Sequence, residues 1–156
     1  MTAERGPKDA AVRPAREDEA DAVAAAYAWL FEPPGSPVAG WDERRAAADL
    51  RALIASPSAT VLVVAHGDEL VGFCTVQLDL RSVRFGQRAW VEDLAVRSDR
   101  RSSGIGKQLL DAAKEWARQR GASHLELDSS DARHDAHRFY QREQPSWTSR
   151  SFGWEL

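Results

Sequence analysis

A glycine loop between a strand pattern and a long amphipathic helix constrains the fold more than any other feature of the sequence. The strand pattern covers residues 89–96, and the loop reads Arg-Ser-Ser-Gly-Ile-Gly-Lys over residues 101–107. The helix pattern runs from Gly104 to Arg120 with one continuous apolar stripe, and residues 125–127 mark another strand. This strand–helix–strand order predicts a parallel strand pair joined by a right-handed crossover.

The rest of the hydropathy pattern predicts further strands and helices around this unit. The predicted elements are a short strand (11–15), a helix from Glu17 that ends before Pro33, a helix from about Trp41 to Ala55, a hairpin of two strands (60–65 and 70–78), a helix (133–142) and a final strand (151–156). Residues 1–10 have little to bury and are expected to form a flexible leader to one domain over residues 11–156.

Composition excludes several classes of protein. The 156 residues match about one domain of ~150 residues. A net charge of −3 argues against nucleic-acid binding, and one cysteine, Cys74, cannot form an intramolecular disulfide. The longest apolar run, Ala22 to Phe31, is too short for a bilayer and follows acidic residues, which also argues against a signal peptide. We therefore expect a cytoplasmic protein with no membrane partner.

The glycine loop has the chemistry of an anion site. Glycines at a helix N-terminus let a phosphate approach free backbone N–H groups, and Arg97, Arg100, Arg101 and Lys107 lie in the same turn. A Walker loop is excluded, because Arg101 stands where its first glycine belongs and Gln108 follows the lysine. A dinucleotide fingerprint lacks its third glycine, whereas a plain helix cap with a solvated basic face stays open.

Three linked segments resemble the GCN5-related N-acetyltransferase (GNAT) family. Residues 101–106 match its Arg/Gln-x-x-Gly-x-Gly/Ala signature, and the segments Val91–Val96 and Ala136–Tyr140 resemble that family in order and separation. The resemblance implies an α/β fold with a mixed, mostly antiparallel sheet flanked by helices. It also implies a β-bulge that opens a V between the central parallel strands.

The resemblance further implies acetyl-coenzyme A as co-substrate and no metal. Leu94 and Val96 would pair with pantetheine through their backbone, and the loop would hold the phosphates. The implied binding residues are Leu94, Ala95, Val96, Arg101, Ser102, Ser103, Gly104, Ile105, Gly106, Lys107, Asp131 and Phe139. Arg97 and Arg100 either face the 3′-phosphate of the adenosine or are solvated.

By the same resemblance, the reaction is direct acetyl transfer to a primary amine through a tetrahedral intermediate. An alkyl ammonium has a pKa near ~10.4, so a base must take its proton at neutral pH, and Glu92 is the candidate. Asp93 would attract the cationic acceptor, and Tyr140 would protonate the departing thiolate. Adjacent strand residues point to opposite faces, so only a bulge brings Glu92 and Asp93 to one cleft.

Other interpretations remain open at this stage. The same fold also suits an acyl-coenzyme A binding or sensing module with little catalysis, or a nucleotide-binding module. The acceptor is expected to be a small amine, an aminoglycoside, or a peptide or protein amine. Residues 141–145 depart from the family pattern, which leaves the last strands shifted or exchanged and a homodimer open.

Two further residue groups are not expected to form sites. His134 and His137 lie three residues apart on one predicted helix, but two ligands do not make a zinc site. Cys74 stands within an apolar strand and is expected to be a buried, inert thiol.

Overall fold

The computed structural model describes residues 11–156, so the predicted leader over residues 1–10 lies outside the described residues. The strands are β1 (Arg13–Pro14), β2 (Ala59–His66), β3 (Glu69–Leu78), β4 (Arg88–Val96) and β5 (His124–Glu126). The helices are α1 (Ala20–Ala26), α2 (Ala28–Phe31), α3 (Glu43–Ala55), α4 (Ile105–Gln119) and α5 (His134–Arg142), with 3-10 turns at Glu17–Glu19 and Ser98–Arg100.

The five strands form one sheet in the order β1-β2-β3-β4-β5. Neighbouring strands run antiparallel except for β4 and β5, which are parallel and are joined through α4. The predicted mixed, mostly antiparallel sheet with one parallel pair is therefore confirmed. The tight turn at residues 66–68 closes the predicted hairpin of β2 and β3.

Two hydrophobic cores lie on opposite faces of the sheet, as the alternation of side chains along its strands requires. One core packs α1 and α3 on Val61, Val63 and Phe73. The other packs α4 on Leu62, Val64, Val71 and Cys74. The expectation of a buried Cys74 thiol is met, and burial raises its pKa. Helices therefore cover both faces of the sheet.

Gly72 on β3 sets how closely α4 lies on the sheet. A Cβ atom at this position would lie 2.8 Å from Ile105 Cγ2 and 3.1 Å from Leu109 Cδ1. Only glycine leaves room for these two side chains in the first turns of α4. The beginning of the helix is therefore packed directly on β3.

The first two helices differ in detail from the prediction. The segment from Glu17 is divided at Tyr27 into α1 and α2, and it begins as a 3-10 turn. The next helix begins at Glu43 because the Asp42 side chain accepts hydrogen bonds from the N–H groups of Arg44 and Arg45, at 2.9 and 3.2 Å.

The predicted final strand over residues 151–156 is wrong. Residues 145–156 form no helix or strand, and β5 pairs only with β4 within residues 11–156. Alternating apolar residues predict an extended segment, but a strand also needs a neighbour with free backbone groups, and the pattern does not supply one. In the same described range, no helix is long and apolar enough to cross a bilayer.

Candidate active site

A β-bulge in β4 brings two carboxylates to one side of the sheet. Thr75 pairs with Asp93 whereas Val76 pairs with Val91, so Glu92 has no partner on β3. The extra residue breaks the alternation, and the side chains of Glu92 and Asp93 line the same cavity of about 80 Å³ beside Tyr27 and Thr75. The bulge expected from the sequence is therefore present at Glu92.

The second half of β4 has an uncovered edge. The parallel pairing with β5 covers only Arg88–Trp90, so the strand continues to Val96 without a neighbour on that side within the described chain. The N–H of Arg97 donates to Val71 O of β3 at 2.9 Å. Because backbone groups alternate along a strand, those of Leu94 and Val96 face the opposite, uncovered side. This is the opening expected between the parallel strands.

The glycine loop presents a row of free donors beside that opening. Gly104, with φ +86°, and Ser102, with φ +63°, adopt the left-handed region, which turns the backbone into α4. Within residues 11–156, the N–H groups from Ser102 to Lys107 make no hydrogen bond; the first bonded amide is that of Gln108. Six amide donors therefore meet at one helix N-terminus, where the helix dipole favours an anion.

The cationic side chains near the glycine loop differ in the ion pairs and hydrogen bonds that they form. Arg97 bridges Asp99 at 2.7 Å and Glu69 at 3.0 Å, and these carboxylates raise its pKa. Arg101 Nη2 lies 3.6 Å from Glu32, and Arg101 Nε donates to Val96 O at 3.4 Å.

Lys107 is also paired, whereas Arg100 is not. Lys107 lies 3.0 Å from Asp111 and 3.1 Å from Glu143, and its pKa is raised by both carboxylates. Arg100 forms no ion pair within the described part of the chain. Arg97, and after it Arg100, lowers the pKa of Asp99, so the Arg100 charge is partly balanced. Of the two arginines considered for a terminal phosphate, Arg100 is therefore the less engaged.

Helix α5 places an aromatic pair against the loop and the groove beside β5. A Cβ atom at Gly106 would lie 3.5 Å from Phe139 Cζ, so the Phe139 ring packs on the first turn of α4. The neighbouring Tyr140 is partly buried, and burial raises its pKa to about 12. Its hydroxyl has no hydrogen-bond partner within residues 11–156, so the neutral phenol keeps a proton available for donation.

Tyr27 is a site residue that the sequence analysis did not find. Its hydroxyl donates to Asp93 Oδ2 at 2.6 Å, while its ring stacks on Trp41 at 5.3 Å and contacts Phe73 at 4.9 Å. Burial raises the pKa of both Asp93 and Tyr27, and the bond from Tyr27 opposes the rise at Asp93. The signal in the sequence was a hydroxyl-bearing residue, Tyr27, in an otherwise apolar helix stripe, because a buried phenol needs a polar partner.

Two more polar contacts hold the site together. The indole Nε1 of Trp90 donates to Glu92 Oε2 at 2.8 Å and orients that carboxylate. Arg133 Nη2, just before α5, donates to Leu30 O at the end of α2 at 2.9 Å. The Arg133 charge also opposes the rise in the pKa of Asp93. The contact between Arg133 and Leu30 links α5 to α2. Neither this contact nor that between Trp90 and Glu92 is indicated by the spacing of residues in the sequence.

Not every predicted residue joins this arrangement. Ala95 is buried in the core under α1 and α3, and its backbone faces β3 opposite Phe73, so neither its side chain nor its backbone faces the opening beside β4. Asp131 lies on the loop before α5, in the groove beside β5, without a hydrogen bond to the glycine loop. Among the described residues no group of three or more His, Cys, Asp or Glu is placed to hold a metal ion.

A bulged strand with an uncovered edge lies beside a helix N-terminus with free amide donors, an arrangement suited to binding an extended ligand that carries phosphate. Comparison with known proteins identifies the family. The family model described as the acetyltransferase (GNAT) family matches residues 20–144. The chain belongs to this family, which confirms the resemblance inferred from the three sequence segments.

Curated relatives and solved structures are similar to the chain over different lengths. The aminoalkylphosphonate N-acetyltransferase of Salmonella typhimurium is 34% identical over 87 residues, covering 56% of each chain. The streptothricin acetyltransferase of Streptomyces lavendulae is 34% identical over 85 residues, or 54% of this chain and 43% of that protein. The chain spans about half the length of the curated relatives it matches.

The structure of the aminoglycoside N-acetyltransferase AAC(6′)-Iy in complex with CoA superposes with a TM-score of 0.83. The alignment covers 99% of both chains at 17% identity, a likeness that establishes the fold.

Proposed function

We propose that this protein transfers an acetyl group from acetyl-coenzyme A to the primary amine of a small molecule. One observation carries the proposal: six unpaired amide donors, from Ser102 to Lys107, lie beside the uncovered edge of β4. A helix start of this kind suits a diphosphate, and an uncovered strand edge suits an extended chain with amide groups. Coenzyme A has both parts.

The residues present fit that co-substrate. Gly104 has no atom within 4 Å of where its side chain would be, so the diphosphate has room to reach the loop amides. The backbone of Leu94 and Val96 would pair with the pantetheine amides. Arg100, which forms no ion pair within the described residues, would supply positive charge for the 3′-phosphate.

The chemistry requires two proton transfers, and the site has a group for each. When bound, acetyl-coenzyme A supplies a thioester. The amine nitrogen would bond to its acetyl carbon to give a tetrahedral intermediate, whose C–S bond then breaks. Glu92, oriented by Trp90, takes the amine proton through a water molecule. Tyr140 gives its phenolic proton to the sulfur, and the amide N–H groups near Leu94 stabilise the carbonyl oxygen.

The acceptor is held through its positive charge. Asp93 Oδ2 accepts from Tyr27, which leaves Oδ1 for an ammonium group. The relatives named for aminoalkylphosphonate and streptothricin support a small amine as acceptor.

The experiment that tests the proposal combines calorimetry with an assay of thiol release. We expect coenzyme A to bind, and we expect acetyl-coenzyme A to be consumed with at least one member of a panel of aminoalkylphosphonates, aminoglycosides and amino acids. Binding without turnover across the panel would favour a sensing module. Equal affinity for ATP would favour a nucleotide-binding module, and no binding of coenzyme A would overturn both acyl-transfer and sensing functions.

The role of Glu92 is tested by Glu92→Gln. We expect kcat/KM at pH 7 to fall about 100-fold, which is typical of a lost general base. The loss should narrow as the pH approaches ~10, where the amine deprotonates without help. The pH profile of initial rates checks this, with coenzyme A affinity as the control. A profile parallel to that of the unmodified protein at every pH would exclude Glu92 as the base.

A further inference from the structure

Arg133 stands at a position where helix chemistry does not favour an arginine. It is the N-cap residue of α5, and its side chain caps no backbone N–H group. N-cap positions favour side chains that accept hydrogen bonds, whereas a guanidinium group has only donors. Its positive charge also lies at the positive end of the helix dipole. The arginine therefore does not serve the helix, and departures of this kind from local preference occur at functional sites.

The Arg133 side chain is held at both of its ends. Its backbone N–H donates to Ser130 O at 2.9 Å, and its carbonyl oxygen accepts from the N–H of His137 at 3.0 Å. At the far end, Nη2 donates to Leu30 O at 2.9 Å. A Cβ atom at Gly35 would lie 2.7 Å from the same Nη2, so glycine at this position leaves room for the contact. The guanidinium group is therefore fixed between α5 and the end of α2.

This position lies near two residues of the proposed site. Burial is the main cause that raises the pKa of Asp93 and of Tyr140, and the positive charge of Arg133 opposes the rise at both residues. A charge acts on its neighbours in this way only over a short distance, because salt screens exposed charges beyond ~10 Å at 0.1 M. The guanidinium group therefore lies close to both the proposed acceptor anchor and the proposed proton donor.

The charge of Arg133 has no carboxylate partner. Within residues 11–156 its guanidinium group forms no ion pair, and its one side-chain hydrogen bond is the bond to Leu30 O. Of the five N–H donors of a guanidinium group, that bond uses one. Nε and Nη1 are not among the buried polar atoms that lack a partner, so a ligand in solvent can reach them. The side chain is thus a fixed, unpaired cation with free donors.

An acceptor with a single positive charge does not suit this arrangement. Its ammonium group at Asp93 would lie near the Arg133 charge, and like charges repel. An acceptor that carries an anionic group of its own turns this repulsion into attraction. Arg133 does not line the cavity beside Asp93, so the ammonium and the anionic group would occupy different places, one in the cavity and one outside it.

On the basis of the acetyl transfer proposed above, we propose that the acceptor is zwitterionic. Its ammonium group binds Asp93, and a carboxylate or phosphonate group at its other end binds the guanidinium group of Arg133. Guanidinium groups bind both kinds of anion through charge-assisted hydrogen bonds, often in pairs. Arg133 is then a specificity-determining residue that takes no part in the two proton transfers.

The first test compares two series of amines with the unmodified protein. One series contains ω-amino carboxylic acids and ω-aminoalkylphosphonic acids of increasing spacer length. The other contains ω-amino alcohols of the same lengths, which are polar but uncharged at that end. We expect the best acid to exceed its matched alcohol in kcat/KM by about tenfold or more, at one preferred spacer length, because both anchors are fixed. Equal values for acids and alcohols at every length would overturn the inference.

The second test uses Arg133→Gln, which keeps an N–H donor for Leu30 O but removes the charge. We expect the ratio of kcat/KM between acid and alcohol to fall to about 1, and the affinity for coenzyme A to stay unchanged. Arg142→Gln removes the same charge from an exposed position on the same helix and should keep the ratio of the unmodified protein.

The remaining outcomes separate this inference from the proposed function. If Arg133→Gln weakens coenzyme A binding and slows acids and alcohols equally, Arg133 serves the co-substrate and the inference is wrong. Turnover of another amine, but of neither series, would also overturn the inference while leaving acetyl transfer in place. No turnover with any amine would overturn the proposed function and the inference together.

Discussion

At the residue scale, burial raises the pKa of both Tyr140 and Asp93. Both effects come from the same physical cause, because a partly buried group loses the water that stabilises its charged form. The consequences are opposite for the two residues. A neutral phenol is ready to give a proton, whereas a carboxylate that stays charged in this cavity costs stability.

Tyr140→Phe tests the proton donor. We expect kcat to fall by about 100-fold, since the thiolate would then leave without a proton, while the affinity for coenzyme A stays unchanged. Because the pKa of Tyr140 is about 12, the unmodified enzyme should show no loss of this donor between pH 6 and pH 10. Steady-state kinetics and calorimetry measure the two quantities, and unchanged kcat would remove Tyr140 from the mechanism.

Asp93→Asn tests the anchor and has a second, thermodynamic result. The amide keeps an acceptor for Tyr27 but removes the charge, so the KM for the amine should rise at least tenfold. The folded-state pKa of Asp93 is raised above 3.8, so its unfavourable contribution begins as the pH rises past 3.8, where the unfolded chain ionises, and is complete above the folded-state pKa. The variant should therefore melt at a higher temperature at pH 7.

The stability gain of Asp93→Asn should vanish below about pH 3, where the carboxyl is protonated in both the folded and unfolded states. Thermal unfolding at the two pH values measures this difference. A variant that is less stable than the unmodified protein at pH 7 would contradict the assignment of burial as the main influence on Asp93.

The sequence predicted the site residues that belong to short motifs, but not the residues that contact each other across a large separation in sequence. Glu92 and Asp93 follow from one short segment, whereas Tyr27 contacts Asp93 across 66 positions. Arg133 contacts Leu30 across 103 positions. An apolar stripe identifies a buried helix face, but it does not say which polar group lies opposite. That information comes from the order of strands in the sheet.

At the element scale, the geometry of the glycine loop is tested by Gly104→Ala. Gly104 has φ +86°, so a side chain there costs about 1–2 kcal/mol of strain. Gly121, at the other end of the same helix, has φ +73° and similar open space, which makes Gly121→Ala a matched control.

Both glycine variants should lose similar stability, but only Gly104→Ala should weaken coenzyme A, by about tenfold. Chemical denaturation and calorimetry give the two values. Equal coenzyme A affinity for the two variants would argue against a phosphate at the loop amides.

The elements that were predicted correctly are those whose local sequence pattern alone determines the secondary structure. The apolar stripe of α4 and the β2–β3 hairpin are local signals, and both are confirmed. Residues 151–156 have an equally clear period, but a strand depends on a neighbour as well as on its own sequence. The division of the first helix at Tyr27 likewise follows from packing against Trp41 and Phe73, and not from a local break signal.

At the scale of the whole molecule, charge is distributed unevenly. The chain has a net charge of −3, yet four cations lie between the end of β4 and the first turn of α4. Three of them form ion pairs with carboxylates, whereas Arg100 forms none within the described residues. Arg100 is therefore the cation of this group that is least engaged by carboxylates.

Arg100→Ala tests this local charge. We expect the affinity of the variant for coenzyme A to fall about fivefold, because an ion pair exposed to solvent contributes little binding energy. The affinity of the variant for 3′-dephospho-coenzyme A should stay constant. The difference should shrink as salt rises, because the Debye length falls below ~10 Å above 0.1 M. Arg44→Ala on the exposed side of α3 is the control. A loss of equal size for both ligands would place the 3′-phosphate elsewhere.

The fold class was predictable because several independent signals agree. The strand–helix–strand order, the glycine loop and the family segments all place the parallel pair at β4 and β5. The extent of that pairing was not predictable from the hydropathy pattern: it ends at Trp90, shortly before the bulge at Glu92.

Gly72 shows how a position with no part in chemistry governs recognition. A methyl group there would press against Ile105 and Leu109 and lift the start of α4 away from β3. The amide donors of the loop would tilt with it, because they belong to the same rigid turn. If the loop holds the phosphates of coenzyme A as proposed, substitutions in the loop can preserve that binding only while position 72 carries no side chain.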